Sequence, residues 1–213
     1  MLGKRVEGRT NMRIKDIIAL CKRSGTLAIW EDYTNDMQWI SDGCAAYPLI
    51  GCPKFDEETI CKTFDITAKQ REKIKFTHTP QPKTMCFADT VSDEYEVHRS
   101  PLSLIHGGKC VTPYETKAGV EFIDNAYFRP VSDMPPDMFY IFERNMINGQ
   151  MYFAVKCGLF LVAVIMPCAV ITDDFAASVN ELNTLIQNAK FNKSARTEEM
   201  TDAAQNSIED GNS

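Results

Sequence analysis

Three histidines are the side chains of this chain best suited to acid–base or metal chemistry near neutral pH. They are His78, His98 and His106, and none of them stands in a His-x-x-x-His or other spacing typical of metal ligands. A Cys–His hydrolase needs a thiol beside an imidazole, and Cys110, four residues after His106, is the nearest approach to such a pair. This pairing is the basis of one functional hypothesis, a Cys–His hydrolase. The favoured interpretation is that the histidines have no catalytic role.

Four carboxylates gather between residues 89 and 96, and hard oxygen ligands of this kind suit Mg²⁺. They are Asp89, Asp93, Glu94 and Glu96. A solvated acidic loop is the favoured interpretation of this cluster. The nearby Gly107-Gly108-Lys109 lacks the further glycine and the Ser or Thr of a phosphate-binding loop, so it predicts only a turn. We therefore predict no catalytic residue, no metal and no cofactor.

Eight cysteines would suit a disulfide scaffold in a small secreted protein, but no apolar signal-peptide core follows the N-terminus. No pair has the short separation by which two thiolates hold one zinc ion. We expect buried free thiols and a cytoplasmic location. The most apolar stretch, 157–171, is interrupted by Gly158 and Pro167 and is shorter than the roughly 20 residues that span a bilayer, so no membrane contact is predicted.

The charge of the chain is unevenly distributed, although the formal net charge is −6. Residues 1–23 carry seven basic against two acidic groups, a balance of +5, whereas residues 24–213 carry 16 against 27, a balance of −11. Within 13–24 the apolar residues Ile14, Ile17, Ile18 and Cys21 follow helical spacing, which predicts an amphipathic helix with a basic outer face. Such a face can neutralise phosphates of duplex DNA. The candidate DNA-binding residues are Arg13, Lys15, Lys22 and Arg23, joined by the basic run Lys69, Arg71 and Lys73.

Two regions of the chain repeat the same order of elements: strand, turn, strand, glycine turn, strand and an acid-capped helix. The first region has strands at 26–33, 37–41 and 44–50 and a helix capped by Asp56. The second has strands at 139–143, 150–156 and 159–166 and a helix capped by Thr172 with Phe175, Val179, Leu182 and Ile186 on one face.

Ile29, Glu31 and Gln38 correspond to Ile141, Glu143 and Gln150 at a constant offset of 112. The turns are too short for parallel crossovers. The expected fold is therefore α+β, with two similar helix, antiparallel-meander and helix units that form one pseudo-symmetric domain. The predicted segments are a flexible basic arm at 1–11, a first unit at 12–75, an irregular connecting region at 76–118, a second unit at 119–189 and a disordered acidic tail at 190–213.

Three short runs carry a resemblance to a known family: Trp39-Ile40-Ser41-Asp42-Gly43, Tyr47-Pro48-Leu49 and Ile165-Met166-Pro167. Over residues 12–188 the chain resembles an uncharacterised family encoded by phages and prophages of Gram-positive bacteria, a family that supplies no function. The order of elements also resembles the half-domain of DNA polymerase sliding clamps. In those clamps two such units make one domain, and six domains form a ring with a helical, basic inner face. This resemblance concerns fold alone.

These observations favour a non-enzymatic phage or prophage binding protein that acts as a clamp-like accessory in DNA replication or processing. The alternative is an inhibitor or adaptor that binds a host protein, for which a compact acidic surface is suitable. A Cys- or metal-dependent hydrolase is the third hypothesis. The partners expected from the first two are duplex DNA, a host or phage protein, or a second copy of the chain.

Overall fold

The structure, a computed structural model, describes residues 12–190. Backbone contacts divide these residues into one unit that ends at Cys168 and another that begins at Ala169. The predicted arm at 1–11 and residues 191–213 of the predicted tail lie outside the described residues. The first unit contains all the strands given below, and the second contains one helix. The structure therefore groups the chain differently from the predicted segments, because strands from 12–75, 76–118 and 119–189 join in common sheets.

The helices begin where the sequence places their capping residues. Asp56 accepts a hydrogen bond from the Thr59 amide at 2.8 Å, and the Thr172 hydroxyl accepts one from the Phe175 amide at 3.2 Å. The first helix ends at Gly25, whose φ of 72° is left-handed and suits glycine. The helices are α1 (Ile14–Ser24), α2 (Glu57–Thr63), α3 (Ala68–Arg71) and α4 (173–190), with 3-10 helices at Asn125–Val131 and Pro136–Met138.

Twelve strands are present among the described residues. They are β1 (Thr26–Asp32), β2 (Met37–Ser41), β3 (Ala45–Pro48), β4 (Lys75–Pro80), β5 (Tyr95–Glu96), β6 (His98–Arg99), β7 (Leu104–His106), β8 (Lys109–Thr116), β9 (Gly119–Asp124), β10 (Phe139–Asn145), β11 (Met151–Cys157) and β12 (Phe160–Ile165).

Eight of these strands form one sheet in the order β4-β1-β2-β3-β12-β11-β10-β5. The meanders β1–β3 and β10–β12 lie side by side and are joined where Ala45 and Ala46 of β3 pair with Ile165 and Val164 of β12. All neighbours are antiparallel except β4, which runs parallel to β1. The remaining strands form a second antiparallel sheet in which β8 pairs with β6, β7 and β9. The α+β fold class is confirmed.

The two meanders share their strand order but not the predicted residue correspondence. In the first hairpin Gln38 lies opposite Glu31, whereas in the second Phe153 lies opposite Glu143. Gln150 lies in the turn before β11, so it is not the counterpart of Gln38, and that part of the alignment was wrong. The physical reason is that seven residue pairs join β10 to β11 whereas five join β1 to β2, so Glu143 is ten residues from its partner and Glu31 only seven from its own. The pseudo-symmetry of the two units stays a prediction.

The large sheet buries a different set of side chains on each face. One face packs against α1, through Ile17 and Cys21, and against the second sheet, where the Tyr114 and Phe153 rings lie 5.6 Å apart. The other face buries Trp39 and Tyr152 beneath the segment 81–94. The eight cysteines all lie within the described residues and all are free thiols, but only Cys21 and Cys157 are buried. Cys52, Cys61 and Cys168 are half-buried, and the expectation of burial was wrong for Cys44, Cys86 and Cys110, which are exposed.

Candidate nucleic-acid interface

Helix α1 is amphipathic as its spacing predicts. Ile17, Ile18, Leu20 and Cys21 are buried, while the opposite side carries exposed Lys15 and Arg23 and half-buried Lys22. The apolar side is held against the large sheet, so the basic side is fixed outward. The first four candidate residues therefore belong to one helix and its N-terminal flank, Arg13.

Three of the seven candidate cations are already paired with carboxylates. Arg13 Nε lies 2.7 Å from Asp16 Oδ2, Arg23 Nη2 lies 3.1 Å from Asp124 Oδ2, and Arg71 Nε lies 2.8 Å from Glu57 Oε1. Each of these three arginines therefore already has a carboxylate within ion-pair distance. Two of the carboxylates, Asp16 and Glu57, lie in the first turn of a helix, where the helix dipole favours negative charge.

Arg23 is held more tightly than the other two arginines. The carboxylate of Asp124 is buried, and the guanidinium carbon also lies 5.6 Å from the centre of the Tyr127 ring. This ion pair joins the end of α1 to the end of β9, which are 101 residues apart in sequence. Arg23 therefore has a structural partner that competes with any phosphate.

The four lysines of the candidate set, Lys15, Lys22, Lys69 and Lys73, have no ion pair within residues 12–190. Three of the four, all but Lys22, are exposed. Because exposed ammonium groups without a carboxylate partner keep their full charge available, these lysines are the groups best placed to meet an anionic surface.

The structure brings part of the α3 region to the end of α1. The amide of Lys75 donates to the carbonyl of Gly25 at 2.8 Å, and a side chain at Gly25 would meet the Lys73 carbonyl oxygen at 3.3 Å. Lys22 and Arg71 both lie close enough to the Cys61 thiol to act on its pKa. Burial raises that pKa, while these two cations oppose the rise.

Lys22, Arg71 and Lys73 thus lie near one another, and Lys15 lies about 10 Å from Lys22 along the same helix side. No contact places Lys69 with them.

The proposed Cys110–His106 pair is not formed. His106 pairs with Lys109 across the β7–β8 hairpin, and Ile105 pairs with Cys110. Because successive strand residues point to opposite faces, the imidazole and the thiol lie on opposite sides of the sheet. The Cys110 sulfur instead accepts a hydrogen bond from Asn125 Nδ2 at 3.2 Å.

His78, on β4, meets a carboxylate. Its Nε2 lies 2.7 Å from Glu31 Oε1, which also accepts a 2.6 Å hydrogen bond from Gln38 Nε2. Burial acts to raise the pKa of Glu31, but the hydrogen bonds from Gln38 and His78 outweigh it, so the pKa lies below its ordinary value. No group of three or more His, Cys, Asp or Glu side chains within residues 12–190 is arranged to hold a metal ion.

The acidic cluster at 89–96 is not simply a solvated loop. Glu94 is largely buried and accepts hydrogen bonds from Arg144 Nη2 at 2.6 Å and from Lys156 Nζ. Asp89 accepts a 2.7 Å hydrogen bond from the Leu161 amide. The sequence did not indicate that Arg144 and Lys156 are buried partners of Glu94, because each is an ordinary charged residue within or next to a predicted strand. Both are buried.

A groove opens between the β1–β2 turn and the β11–β12 turn. Its volume is about 530 Å³, and its walls include Ile50 and Phe160, which are 53% and 60% exposed. Trp39 lines the groove as well, and its indole Nε1 is buried without a hydrogen-bond partner among the described residues. An apolar groove with exposed apolar walls is a feature of protein-interaction sites.

The most apolar stretch of the sequence contains strand β12. Among residues 12–190, no helix combines the length and the hydropathy needed to cross a bilayer.

Comparison with known proteins gives no relative from which a function could be taken. No family model matches the chain, and no match was found among curated proteins or solved structures. The site is therefore interpreted from its own geometry.

Proposed function

We propose that the protein is a non-enzymatic binding protein of phage or prophage origin that contacts duplex DNA, as a clamp-like accessory in replication or processing. The observation that supports the proposal most directly is the outer side of α1. It carries Lys15 and Lys22, and the backbone of Lys73 lies close to Gly25 at the end of the helix. None of these three lysines has a carboxylate partner among the described residues. The side-by-side meanders with α1 on one face also agree with the element order of clamp half-domains.

The expected affinity is low and depends strongly on salt. Each phosphate neutralised on duplex DNA contributes about 0.9 to the log–log salt slope, so three lysines give a slope of about −3. The paired arginines Arg13, Arg23 and Arg71 add little, because a carboxylate already neutralises each of them. Such binding is non-specific in sequence, since contacts between lysines and phosphates carry no sequence information.

The test is a titration of a fluorescently labelled duplex with the full chain at several salt concentrations. The test variant is Lys22→Glu with Lys73→Glu, and the control is Lys83→Glu with Lys109→Glu. Lys83 and Lys109 are exposed, and lie on the segment 81–94 and the β7–β8 hairpin. Each pair of reversals moves the net charge from −6 to −10, and both variants keep the basic residues of 1–11.

We expect the first variant to bind much more weakly with a shallower salt slope, while the control loses little. Absence of binding by the unmodified chain at low salt would reject the DNA interface. An equal loss in both variants would show that only net charge matters, and would reject this surface as the site.

The groove supports a second candidate, an adaptor or inhibitor that binds a host protein. Phe160 and Ile50 are exposed apolar walls of that groove, an arrangement suited to an apolar side chain of a partner. Affinity purification from a Gram-positive host should recover a partner that Phe160→Ser loses. The matched control is Ile105→Ser, since Ile105 is 78% exposed but lies on β7. A partner lost equally from both variants would contradict a role for the groove.

A further inference from the structure

Helix α4 carries an apolar stripe with the spacing of a coiled coil. Phe175, Val179, Leu182, Ile186 and Ala189 follow one another at steps of four, three, four and three residues. This is the heptad pattern in which Val179 and Ile186 occupy a positions and the other three occupy d positions. Val179, Leu182 and Ile186 are 47%, 56% and 44% exposed.

The outer positions of the helix are polar, as in a coiled coil, whereas the flanking g position also carries Leu185, which is 59% exposed and widens the apolar stripe. With Val179 at position a, the outer b, c and f positions are taken by Asp173, Asp174, Ala177, Asn180, Glu181, Thr184, Gln187 and Asn188. All of these are polar except Ala177. At the flanks of the seam, Ser178 at g would lie opposite Asn183 at e of a parallel copy, so no like charges oppose each other there.

The residue types within the seam indicate the partner. Both a positions hold β-branched residues, Val179 and Ile186, and the central d position holds Leu182, a combination that favours two parallel strands over three or four. The outer two d positions hold Phe175 and Ala189. A seam of this kind is complementary to itself, and an 18-residue helix is marginally stable in water unless its apolar face is packed. The heptad pattern ends with Ala189, because Lys193 and Arg196 stand at the next a and d positions.

We propose that the chain forms a homodimer through a short parallel coiled coil made by residues 173–190 of two copies. The dimer has a two-fold axis along the seam, so the same residues meet on both sides. The interface is independent of the DNA interface above, because it uses none of the candidate lysines. With only about two and a half heptads, association depends on protein concentration.

The test is the mass of the full chain by light scattering after size exclusion. It is measured from about 5 to about 200 µM protein, since dimerisation follows mass action, and with a reducing agent because of the exposed cysteines. We expect the mass to rise towards twice the chain mass of 24.0 kDa. Val179→Asp with Leu182→Asp should remain monomeric throughout. Asn180→Asp with Gln187→Glu adds the same charge at outer positions and should dimerise like the unmodified chain.

A third variant distinguishes a specific two-stranded coiled coil from non-specific association of apolar surfaces. Val179→Leu with Leu182→Ile and Ile186→Leu keeps the stripe apolar, but places Leu at a and Ile at d, which shifts coiled coils towards tetramers. Its mass should therefore exceed that of a dimer, and a mass that stays dimeric would overturn the parallel two-stranded assignment. Fluorescence of Trp30 and Trp39, both in the first unit, must be unchanged in every variant.

A monomeric unmodified chain at the highest concentration would overturn the proposal. Hydrogen exchange would then show what replaces the dimer. Slow exchange across 173–190 in the monomer would mean that the same chain covers the helix, and fast exchange would mean that the apolar stripe is left for another protein.

Discussion

The two meanders of the large sheet have outer strands, β1 and β10, that are covered in different ways. Strand β1 pairs with β4 over six residue pairs, from Thr26↔Lys75 to Glu31↔Pro80. Strand β10 pairs with β5 over only two, Glu143↔Tyr95 and Phe142↔Glu96. An uncovered strand edge is a liability because its amides and carbonyls can pair with other chains.

On the β10 side, one guanidinium replaces much of the missing backbone pairing. Arg144 donates to the carbonyl oxygens of Cys86, Ala88 and Asp89, at 3.3, 2.8 and 3.2 Å, and to the carboxylate of Glu94. The segment 81–94 is thereby held against the sheet. The first edge thus depends on many backbone bonds of similar strength, whereas the second depends on one buried ionic group. The consequences of mutation should differ accordingly.

The largest loss of unfolding free energy is expected from Arg144→Met. This change removes the guanidinium from Glu94, which keeps Lys156, and from three carbonyl oxygens, of which that of Cys86 keeps the Tyr152 hydroxyl. Removing one member of a buried ion pair costs about 3–5 kcal/mol. Urea unfolding followed by circular dichroism measures the loss. Arg129→Met is the control, because Arg129 is exposed, and its free energy of unfolding should change by less than about 0.5 kcal/mol. Equal losses of unfolding free energy in Arg144→Met and Arg129→Met would contradict the claim that the β10 edge depends on one buried ionic group.

A pH-dependent effect is expected from Glu94→Gln. Burial acts to raise the pKa of Glu94, but hydrogen bonds from Lys156 and Arg144 outweigh it, so its folded-state pKa lies below the ordinary value. Such a carboxylate stabilises the fold above its unfolded-state pKa, and the stabilisation is lost as the pH falls through the lower folded-state pKa.

The unfolding free energies of the unmodified chain and Glu94→Gln should therefore differ most near pH 7 and converge in acid. Glu31→Gln, at the other edge, should show a smaller convergence, because the partners of Glu31 are a neutral amide and an exposed histidine. If the unfolding free energies of the unmodified chain and Glu94→Gln differed by the same amount at every pH, the charge of Glu94 would not stabilise the β10 edge.

A smaller effect is expected from Tyr152→Phe. The Tyr152 hydroxyl donates to the Cys86 carbonyl at 2.9 Å and accepts from the Cys86 amide at 3.0 Å. Removing it leaves the Cys86 amide without this acceptor and the Cys86 carbonyl with Arg144 as its remaining donor, which costs about 1–2 kcal/mol. Hydrogen exchange should show a faster Cys86 amide. Tyr140→Phe provides the control, since Tyr140 is 41% exposed, and no acceleration is expected there.

The smallest effect is expected from His78→Ala at the β4 edge. The imidazole is 44% exposed, so its pairing with Glu31 contributes less than about 1 kcal/mol. Glu31 keeps its hydrogen bond from Gln38, and the six-pair backbone ladder is unchanged. A loss as large as that of Arg144→Met in the same urea titration would show that β4 also depends on a single side chain.

The parts of the fold that could be predicted are those specified by neighbouring residues. Asp56 and Thr172 cap helices that begin where the sequence indicates, and a turn joins the first two strands of the second region as predicted. Strand β4 was not predicted, because its parallel pairing with β1 depends on how the connection 33–74 packs and not on a local signal.

The candidate site likewise contains some features that neighbouring residues specify and others that depend on tertiary packing. The basic side of α1 follows from helical spacing alone, so Lys15 and Lys22 could be identified from the sequence. The neutralisation of Arg23 could not, because Asp124 lies 101 residues away and meets Arg23 only through tertiary packing. Likewise, Glu94 stands in an acidic cluster that reads as solvated, and its buried partners come from β10 and β11.

The junction between β3 and β12 has a consequence for synthesis of the chain. It consists of two residue pairs more than 115 positions apart, with one further hydrogen bond from the Met166 amide to the Cys44 carbonyl. A ribosome therefore completes β1, β2 and β3 long before β12 exists, and β3 emerges with an open edge. During that interval the nascent meander can pair with other chains. The yield of active protein should therefore depend on how fast translation covers residues 49–165, and on chaperones that occupy that edge meanwhile.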